Sequence, residues 1–374
     1  MAPPDRPLTL EIEARDGQAR AGVLHTRRGP VRTPAFMPVG TAGSVKGVLP
    51  WQLVELGAEI VLANTYHLHL RPGEDVVREL GGIHRFSGWR VPVLTDSGGY
   101  QVFSHGERRT LDEDGVTFRD HLEGRSRRLT PESAIGIQEA LGSDVMMPLD
   151  DCTGHPTERE QAAAAMERTL RWLPRNLRAR TDASAALFGI VQGGAFDDLR
   201  ERSLEQTVAF DLDGYALGGV SVGEGREAIR RVVSRFGPRL PGDRPRYLMG
   251  VGLPGDIIHA VRAGFDMFDC VVPTRHARNA QLFTASGRIN MRNARFRTER
   301  GPVDPGCGCP VCRTFSLGYL RHLYVAGEVL ASVAGTLHNL WFYLDTMRRV
   351  REAIVEGRLD ALADERAGAE EGGT

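Results

Sequence analysis

Ala186-Leu-Phe-Gly-Ile-Val-Gln-Gly193 and Gly214-Tyr-Ala-Leu-Gly-Gly-Val220 are apolar runs that end in polar or glycine-rich turns, and a segment with amphipathic helical spacing lies between them. Continuous apolar runs of this length are typical of strands that are buried on both faces, as in a parallel sheet. The two runs and the intervening segment therefore predict a strand–helix–strand unit.

The unit recurs along the chain. The strand candidates are Pro34–Gly40, Glu59–Tyr66, Val91–Gly98, Asp144–Asp150, Ala186–Gly193, Gly214–Val220, Arg246–Gly252 and Asp266–Val272. Pro131–Leu141 is predicted to be a helix, because Thr130 can cap its start and Gly142 its end. Another helix is expected to begin at Thr157, where Glu160 would complete a capping box. About eight strands joined by helices predict an α/β fold, a (β/α)8 TIM barrel, and a doubly wound sheet is the alternative.

Two segments interrupt the repeat. Val102–Leu129 has the pattern of a β-hairpin inserted after the third strand, and residues from about Phe283 to Tyr343 carry three of the five cysteines. The expected organisation is a barrel core over 1–298 and a zinc-binding subdomain over 299–345. A C-terminal helix and a tail, frayed from Ala361 onward, are expected over 346–374.

Length and composition are those of a globular protein. The 374 residues suit one α/β barrel with an insertion, and the net charge of −1 gives no general indication of nucleic-acid binding. The N-terminus lacks the apolar core of a signal peptide, and no apolar run approaches the roughly 20 residues that span a bilayer. We therefore expect a cytoplasmic enzyme without a membrane segment.

A metal site is indicated by Cys307, Cys309 and Cys312, which are followed by His338. Three thiolates and one imidazole make a closed tetrahedral zinc site, so one Zn²⁺ with a structural role is expected. A helix through Tyr319–Leu330 would bring the histidine back to the cysteines. Reduced cysteines without a metal are the alternative.

Polar groups gather where the predicted strands end. In a TIM barrel these ends meet at one mouth. The strand ends and the turns after them carry Asp96, Tyr100, Asp150, Gln192, Gly219, Met249 and Asp269. Any single aspartate at such a place can be a turn former, but together the groups suit a planar heterocycle, with polar groups for its edge and Tyr100 and Met249 for its faces. A nucleophilic Cys270 is a remote alternative.

Basic residues cluster directly after the last strand. They are Arg275, Arg278, Arg288, Arg292, Arg295, Arg297 and Arg300, with Phe283 and Phe296 among them. A charge run is often only a solvated face. This one follows Asp269 and leads into the cysteine segment, so it would flank the barrel mouth, which favours phosphate contacts of a nucleic acid.

These motifs resemble the tRNA-guanine transglycosylases, or queuine tRNA-ribosyltransferase family, in their bacterial form. The similar segments are Asp96-Ser-Gly-Gly-Tyr-Gln-Val-Phe, Gly142-Ser-Asp, Asp150-Asp-Cys-Thr, Gly214-Tyr-Ala-Leu-Gly-Gly, Tyr247-Leu-Met-Gly-Val-Gly, Phe268-Asp-Cys-Val-Val-Pro-Thr-Arg and the Cys/Cys/Cys/His set. The resemblance extends from about Ala35 to Tyr343 and implies a fold and an activity for most of the chain.

The resemblance implies a role for each matching residue. Asp269 would be the nucleophile on the ribose carbon, and Asp96 the general base for the incoming base. Asp150, Gln192 and the Gly219 backbone would read the base, with Tyr100 and Met249 on its faces. Arg275 and Arg278 would contact the anticodon loop.

The implied reaction exchanges the wobble guanine of U-G-U anticodon tRNAs (Tyr, His, Asn and Asp) for 7-aminomethyl-7-deazaguanine, with guanine as product. Val222 and Cys152 follow the bacterial pattern and would narrow the pocket against queuine. Asp151 and Val191 depart from that pattern. A homodimer with the zinc region near its interface is also implied.

Rival interpretations remain at this point. A non-catalytic tRNA-binding partner would be expected to lose part of the aspartate set, which is intact here. A glycosidase barrel explains the aspartates but not the cysteines and arginines. An archaeosine-type enzyme would be expected to carry further C-terminal RNA-binding domains.

Overall fold

The computed structural model describes residues 6–104 and 109–371, and side chains over 6–103 and 109–368. Within these ranges no helix is long and apolar enough to cross a membrane.

The strands and helices alternate over most of the described chain. The strands are β1 Leu8–Asp16, β2 Ala19–Thr26, β3 Gly29–Thr33, β4 Ala35–Gly40, β5 Val61–Ala63, β6 Val93–Thr95, β7 Arg109–Leu111, β8 Val116–Arg119, β9 Ser126–Leu129, β10 Val145–Met146, β11 Ala186–Val191, β12 Gly214–Leu217, β13 Arg246–Leu248, β14 Met267–Cys270, β15 Gln281–Thr284 and β16 Gly287–Asn290. The helices are α1 Pro50–Glu55, α2 Thr65–Leu70, α3 Glu74–Glu79, α4 Gly82–Ser87, α5 Gly99–Ser104, α6 Pro131–Leu141, α7 Arg159–Ala179, α8 Asp197–Val208, α9 Arg226–Phe236, α10 Pro254–Arg262, α11 Val272–Arg278, α12 Pro310–Thr314, α13 Leu317–Ala326, α14 Val329–Val355 and α15 Leu359–Glu371, with short 3-10 turns at Gly237–Arg239 and Ala294–Thr298.

Eight parallel strands close into a barrel in the order β4, β5, β6, β10, β11, β12, β13, β14. The closing pair is β14 with β4, where Met267 faces Ala35 and Cys270 faces Pro38. Each of the eight lies within a predicted apolar run, so the TIM-barrel prediction is confirmed and the doubly wound alternative is wrong. Buried side chains from all eight barrel strands fill the interior, as the apolar runs require.

The N-terminal end of the barrel is capped by a sheet that the sequence pattern did not predict. Strands β1, β2 and β3 form an antiparallel sheet whose Leu8, Leu24 and Val31 pack into the barrel core. From β2, the buried Arg20 donates to both carboxylate oxygens of Asp266 at 2.8 and 2.6 Å, just before β14 begins. The cap leaves the C-terminal end of the barrel for a functional site.

The insertion after the third barrel strand is larger than a hairpin. Strands β7, β8 and β9 form a three-stranded antiparallel sheet, and Val102 belongs to helix α5 instead. The predicted hairpin is therefore wrong in strand number. The first strand, Arg109–Leu111, is short and exposed, so it carries no apolar alternation that a pattern could reveal. Residues 105–108 of the predicted insertion lie outside the described residues.

Two helices replace the single helix predicted through Tyr319–Leu330. Helix α13 ends at Ala326, and its C-cap Gly327 adopts a left-handed conformation with φ 77°. Helix α14 then begins at Val329 and carries His338 in its buried face. A glycine in this conformation is a common helix stop, which explains the break. Because α14 runs on to Val355, it crosses the domain boundary predicted at residue 345, and the three-domain division stays a prediction.

Two further boundaries differ from expectation. Helix α7 begins at Arg159 with Glu158 as N-cap, so the start predicted at Thr157 is one position too early; the helix has no side-chain cap bond, so the predicted capping box is wrong. The tail is not frayed from Ala361, because Leu359–Glu371 form a helix whose Leu359 and Leu362 are buried in the core. Two buried leucines were too few to predict this packing. Residues 372–374 of the predicted tail lie outside the described residues.

Candidate active site and metal centre

The predicted site residues lie at one end of the barrel, at or just after the C-terminal ends of its strands. By strand they are Asp96 after β6, Asp150 after β10, Gln192 after β11, Gly219 after β12, Met249 after β13 and Asp269 in β14. Tyr100 lies on α5, directly after the β6 turn. Because the strands are parallel and close a barrel, these groups border a common mouth.

Asp269 is held by hydrogen bonds to one of its two carboxylate oxygens. The Tyr247 hydroxyl donates to Oδ1 at 2.6 Å, and the Gly250 amide donates to the same atom at 2.9 Å. Within the described residues, Oδ2 receives no such bond. Burial raises the pKa of the Asp269 carboxyl, and the two hydrogen bonds act in the opposite direction. The arrangement fixes the carboxylate and leaves one oxygen available for a reacting atom.

Asp96 has a different set of donors. Thr65 N and Gly98 N donate to Oδ1 at 2.9 and 3.2 Å, Gln101 Nε2 donates to Oδ2 at 2.9 Å, and Asn64 Nδ2 also donates to Oδ2. Burial raises the pKa of Asp96 to about 6 in spite of these donors. A carboxyl group with this pKa exchanges a proton close to neutral pH, as a general base must.

The Asp96 and Asp269 charges interact. After burial, the charge of Asp269 is among the causes that raise the pKa of Asp96. Two neighbouring carboxylates with different hydrogen-bond partners can take different roles, one as nucleophile and the other as proton carrier.

Asp150 and Gln192 form a buried polar pair. Gln192 Nε2 donates to Asp150 Oδ2 at 2.6 Å, and both residues are less than a tenth exposed. Burial raises the pKa of Asp150 to about 7, with a smaller contribution from the charge of Asp151. Asp151 itself pairs with Arg168. Asp150 and Gln192 are thus suited to hydrogen-bond the edge of a heterocycle.

The glycine pair after β12 adjoins Gln192. A Cβ atom on Gly218 would lie 2.8 Å from Gln192 Nε2, and one on Gly219 would lie 2.4 Å from Gln192 Oε1. Gly219 also has φ +61°. Only glycine allows this backbone to approach the Gln192 carboxamide so closely.

The remaining predicted contacts are more exposed. Tyr100 is 52% exposed, Met249 is half-buried at the mouth, and Arg275 and Arg278 lie on α11 directly after β14. None of the predicted basic residues pairs with a carboxylate in the part of the chain whose side chains are described; these are Arg275, Arg278, Arg288, Arg292, Arg295, Arg297 and Arg300. Arginines elsewhere are often paired, such as Arg171 with Glu113. The cluster therefore presents uncompensated positive charge.

Cys307, Cys309, Cys312 and His338 come together as one group whose candidate ligand atoms all lie within 4.8 Å of one another. His338 Nδ1 is 3.8, 3.5 and 3.4 Å from the three sulfurs in that order, and His338 Nε2 lies 2.7 Å from the Phe283 carbonyl oxygen. A carbonyl can only accept, so Nε2 carries the proton and the Nδ1 lone pair faces the sulfurs. This donor set fits a metal ion.

The two other cysteines are buried. Burial raises the pKa of Cys152 and of Cys270 to about 12. Both thiols are therefore protonated at neutral pH, and the alternative of a nucleophilic Cys270 loses its support.

Several residues that shape the site were not singled out from the sequence. Tyr247 and Gln101 lie within the motifs that carry the family resemblance, but the sequence alone indicates no role for either. Asn64 directly follows the second barrel strand. Glu224 accepts from Ser221 N at 2.5 Å and from Val222 N at 2.8 Å, which holds the loop after β12. Asn64 stands at a strand end, so the rule that located the aspartates could have found it.

Comparisons with known proteins agree with the resemblance. The family described as "Queuine tRNA-ribosyltransferase" matches residues 16–371. Proteins named queuine tRNA-ribosyltransferase are similar over nearly their whole length. One from Thermus thermophilus is 52% identical over 359 residues, 96% of this chain and 93% of the relative. One from Thioalkalivibrio sulfidiphilus is 51% identical over 358 residues, 96% of each chain. The chain thus belongs to the queuine tRNA-ribosyltransferase family, the tRNA-guanine transglycosylases, which are pentosyltransferases.

Proposed function

We propose that this protein exchanges the wobble guanine of U-G-U anticodon tRNAs for 7-aminomethyl-7-deazaguanine by double displacement. The observation that carries the proposal is the pair Asp269 and Asp96 at one barrel mouth. Asp269 keeps an oxygen free of hydrogen bonds within the described residues, while Asp96 has a pKa of about 6. The first suits a nucleophile and the second a proton carrier.

In the first displacement, Asp269 Oδ2 attacks the ribose C1′. A C1′–O bond forms, the C1′–N9 bond breaks, and the leaving guanine takes a proton from water. In the second, ionised Asp96 takes the N9 proton of the incoming base, whose nitrogen attacks C1′ and expels Asp269. Two inversions give net retention.

The state of Asp269 would also set the proton affinity of Asp96. Once Asp269 is esterified, its charge no longer raises the pKa of Asp96. Asp96 then ionises more readily, at the stage when a base is needed.

Base recognition would use the polar pair and the glycine turn. Ionised Asp150 can accept from the N1–H and 2-amino groups, while Gln192 and the Gly219 amide can bind the C6 oxygen. Tyr100 and Met249 would cover the two faces. Val222 and Cys152 would disfavour a bulky ring substituent, because overfilling a pocket costs about 1–3 kcal/mol.

The unpaired arginines would bind the tRNA backbone. If Arg275 neutralises one phosphate, Arg275→Ala should reduce the slope of log affinity against log salt by ~0.7–0.9. Arg278→Ala should do the same. Titrations of tRNA binding at several salt concentrations measure both slopes.

The matched control is Arg239→Ala, since Arg239 is already paired with Glu201 far along the chain from the cluster. Its slope should equal that of the wild type. An unchanged slope in the Arg275 and Arg278 variants would show that these residues do not neutralise the phosphates.

The metal group would hold one structural zinc ion, through the three sulfurs and His338 Nδ1. Zinc would supply no open coordination position and take no part in the exchange. Cys309→Ser should remove the metal and lower the thermal midpoint by about 5 °C or more.

Metal analysis and thermal melts check this expectation. Cys152→Ser is the control, because Cys152 lies outside the metal group, and it should retain one zinc per chain. A wild-type protein without stoichiometric zinc would exclude the site.

We also propose that the protein acts as a homodimer in the cytoplasm. Trp51 on α1 and Val325 and Val329 beside the metal region are 59%, 58% and 79% exposed. The loop before α1 touches α14, since a Cβ atom on Gly47 would lie 3.6 Å from the Val333 Cα atom. Exposed apolar residues on adjoining elements suit a second copy, and light scattering would give the mass.

The test of the function is incorporation of labelled guanine into tRNA. A U-G-U anticodon tRNA should incorporate it, and the same tRNA with adenine at the wobble position should not. Addition of 7-aminomethyl-7-deazaguanine should then release the label more efficiently than queuine. No incorporation would favour a binding protein, and sugar-chain hydrolysis would favour the glycosidase alternative.

A further inference from the structure

Arg200 on α8 is a charged residue buried in the wall of the proposed base site. It is 0% exposed, and within the described residues no carboxylate lies at ion-pair distance from it. Its guanidinium instead donates to three glycine carbonyls: Nε to Gly194 at 2.6 Å, Nη1 to Gly218 at 3.1 Å and Nη2 to Gly219 at 2.9 Å. Burial lowers the pKa of Arg200 to about 10, so the group stays charged at neutral pH.

These bonds determine where the neighbouring amide points. In a trans peptide the C=O of one residue and the N–H of the next point in opposite directions. The Gly218 carbonyl points at Arg200, so the Gly219 N–H points away from Arg200. Within the described residues the Gly219 N–H has no hydrogen-bond acceptor. It is a donor held in place without a partner.

The glycines around Arg200 match this arrangement. A Cβ atom on Gly193 would lie 2.6 Å from the Arg200 backbone nitrogen and 2.8 Å from its Cγ atom. Glycine at 218 and 219 leaves room for Gln192 on the other side. The backbone thus lies between the Arg200 guanidinium and the Gln192 carboxamide, and the paired glycines permit both contacts.

We propose that Arg200 is a positioning residue that directs the Gly219 N–H at the C6 oxygen of the purine-type base. The inference rests on the proposed function. The fixed positive charge behind the two peptides also favours negative charge on that oxygen. Such charge develops when the base loses its N9 proton, so Arg200 stabilises the deprotonated base through the Gly218 and Gly219 peptides.

The test compares two bases in two proteins. Guanine carries the C6 oxygen, whereas 2-aminopurine lacks that oxygen and also lacks the N1–H that Asp150 would accept. Dissociation constants for both are measured in wild type and in Arg200→Lys, which keeps a charge but lacks the planar set of donors. In wild type, guanine should bind about tenfold to a hundredfold more tightly than 2-aminopurine. In the variant the ratio should fall clearly below the wild-type value, and only the part due to the N1–H contact with Asp150 should remain.

The ratio separates positioning from a general structural role. A loss of folded protein or a looser barrel weakens both bases equally and leaves the ratio unchanged. Thermal melts are run first, and Arg200→Gln, which keeps two amide donors, replaces the lysine variant if that one does not fold. Arg231→Lys is the control, because Arg231 is exposed and paired with Asp197, and it should keep the wild-type ratio.

A kinetic measurement adds a second readout. If Arg200 stabilises the deprotonated base, Arg200→Lys should lower kcat for guanine exchange as well as raising KM, whereas a pure binding defect would change KM alone. An unchanged ratio of the two dissociation constants in a folded Arg200 variant would overturn the inference. Failure of the wild type to exchange guanine would instead contradict the proposed function.

Discussion

Asp269→Asn should reduce guanine exchange by on the order of 10³-fold or more, because the amide keeps the shape of the carboxyl group but loses the charge that attacks C1′. The tRNA adduct that survives denaturation should disappear as well. Tyr247 and Gly250 can still donate to the remaining carbonyl oxygen, so folding and tRNA binding should be preserved. Denaturing gel electrophoresis of enzyme–tRNA mixtures measures the adduct.

The pKa of the neighbouring carboxyl group, Asp96, provides an internal control. The charge of Asp269 is among the causes that raise the pKa of Asp96, so its removal should lower that pKa below about 6. Tyr247→Phe is the matched variant. It keeps the Asp269 charge, should retain the adduct and should lose only part of the rate. An undiminished adduct in Asp269→Asn would assign the nucleophile to another residue.

Asp96→Asn should reduce turnover by about 10²–10⁴-fold, because the incoming base is no longer deprotonated. The adduct should still form with wild-type tRNA if the leaving guanine can take its proton from water.

The pH–rate profile of the wild type should also show an acid limb, that is, a loss of activity at low pH. Asp96 must be ionised to act as a base, and its pKa is about 6, so activity falls as the pH drops through that value.

Rates measured between pH 5 and 8 check this limb. Below about pH 6 the ionised fraction falls roughly tenfold per unit. Asp150, with a pKa of about 7, adds a second ionisation that governs base binding. Asp96→Asn should therefore lose the limb near 6 and keep the one near 7. A variant whose residual activity retains both limbs would exclude Asp96 as the proton carrier.

The sequence predicts the barrel well because each of its strands is buried on both faces and reads as an apolar run. The same rule locates Asp96, Asp150, Gln192 and Asp269, since each follows or ends such a run. The metal group can also be predicted from the sequence, because three cysteines and one histidine are a ligand set typical of structural zinc.

Other features depend on contacts that no local pattern reveals. Arg200 lies in a helix whose one other arginine, Arg202, is on the surface, and only the fold turns Arg200 toward three glycine carbonyls. Tyr247 reads as an ordinary strand residue until β13 pairs with β14 beside Asp269. Strand β7 is exposed, and helix α15 packs through only a few leucines, so neither had an apolar period to detect.

The most direct test of double displacement is the site of the covalent bond. Wild-type protein is mixed with a U-G-U anticodon tRNA, denatured and digested with protease and nuclease, and the modified peptide is sequenced by mass spectrometry. The account predicts a ribose-linked nucleotide without its base on Asp269, in the peptide that contains Phe268-Asp-Cys-Val-Val-Pro-Thr-Arg. Attachment at Asp96 or at a cysteine, or guanine exchange without any adduct in rapidly quenched samples, would contradict it.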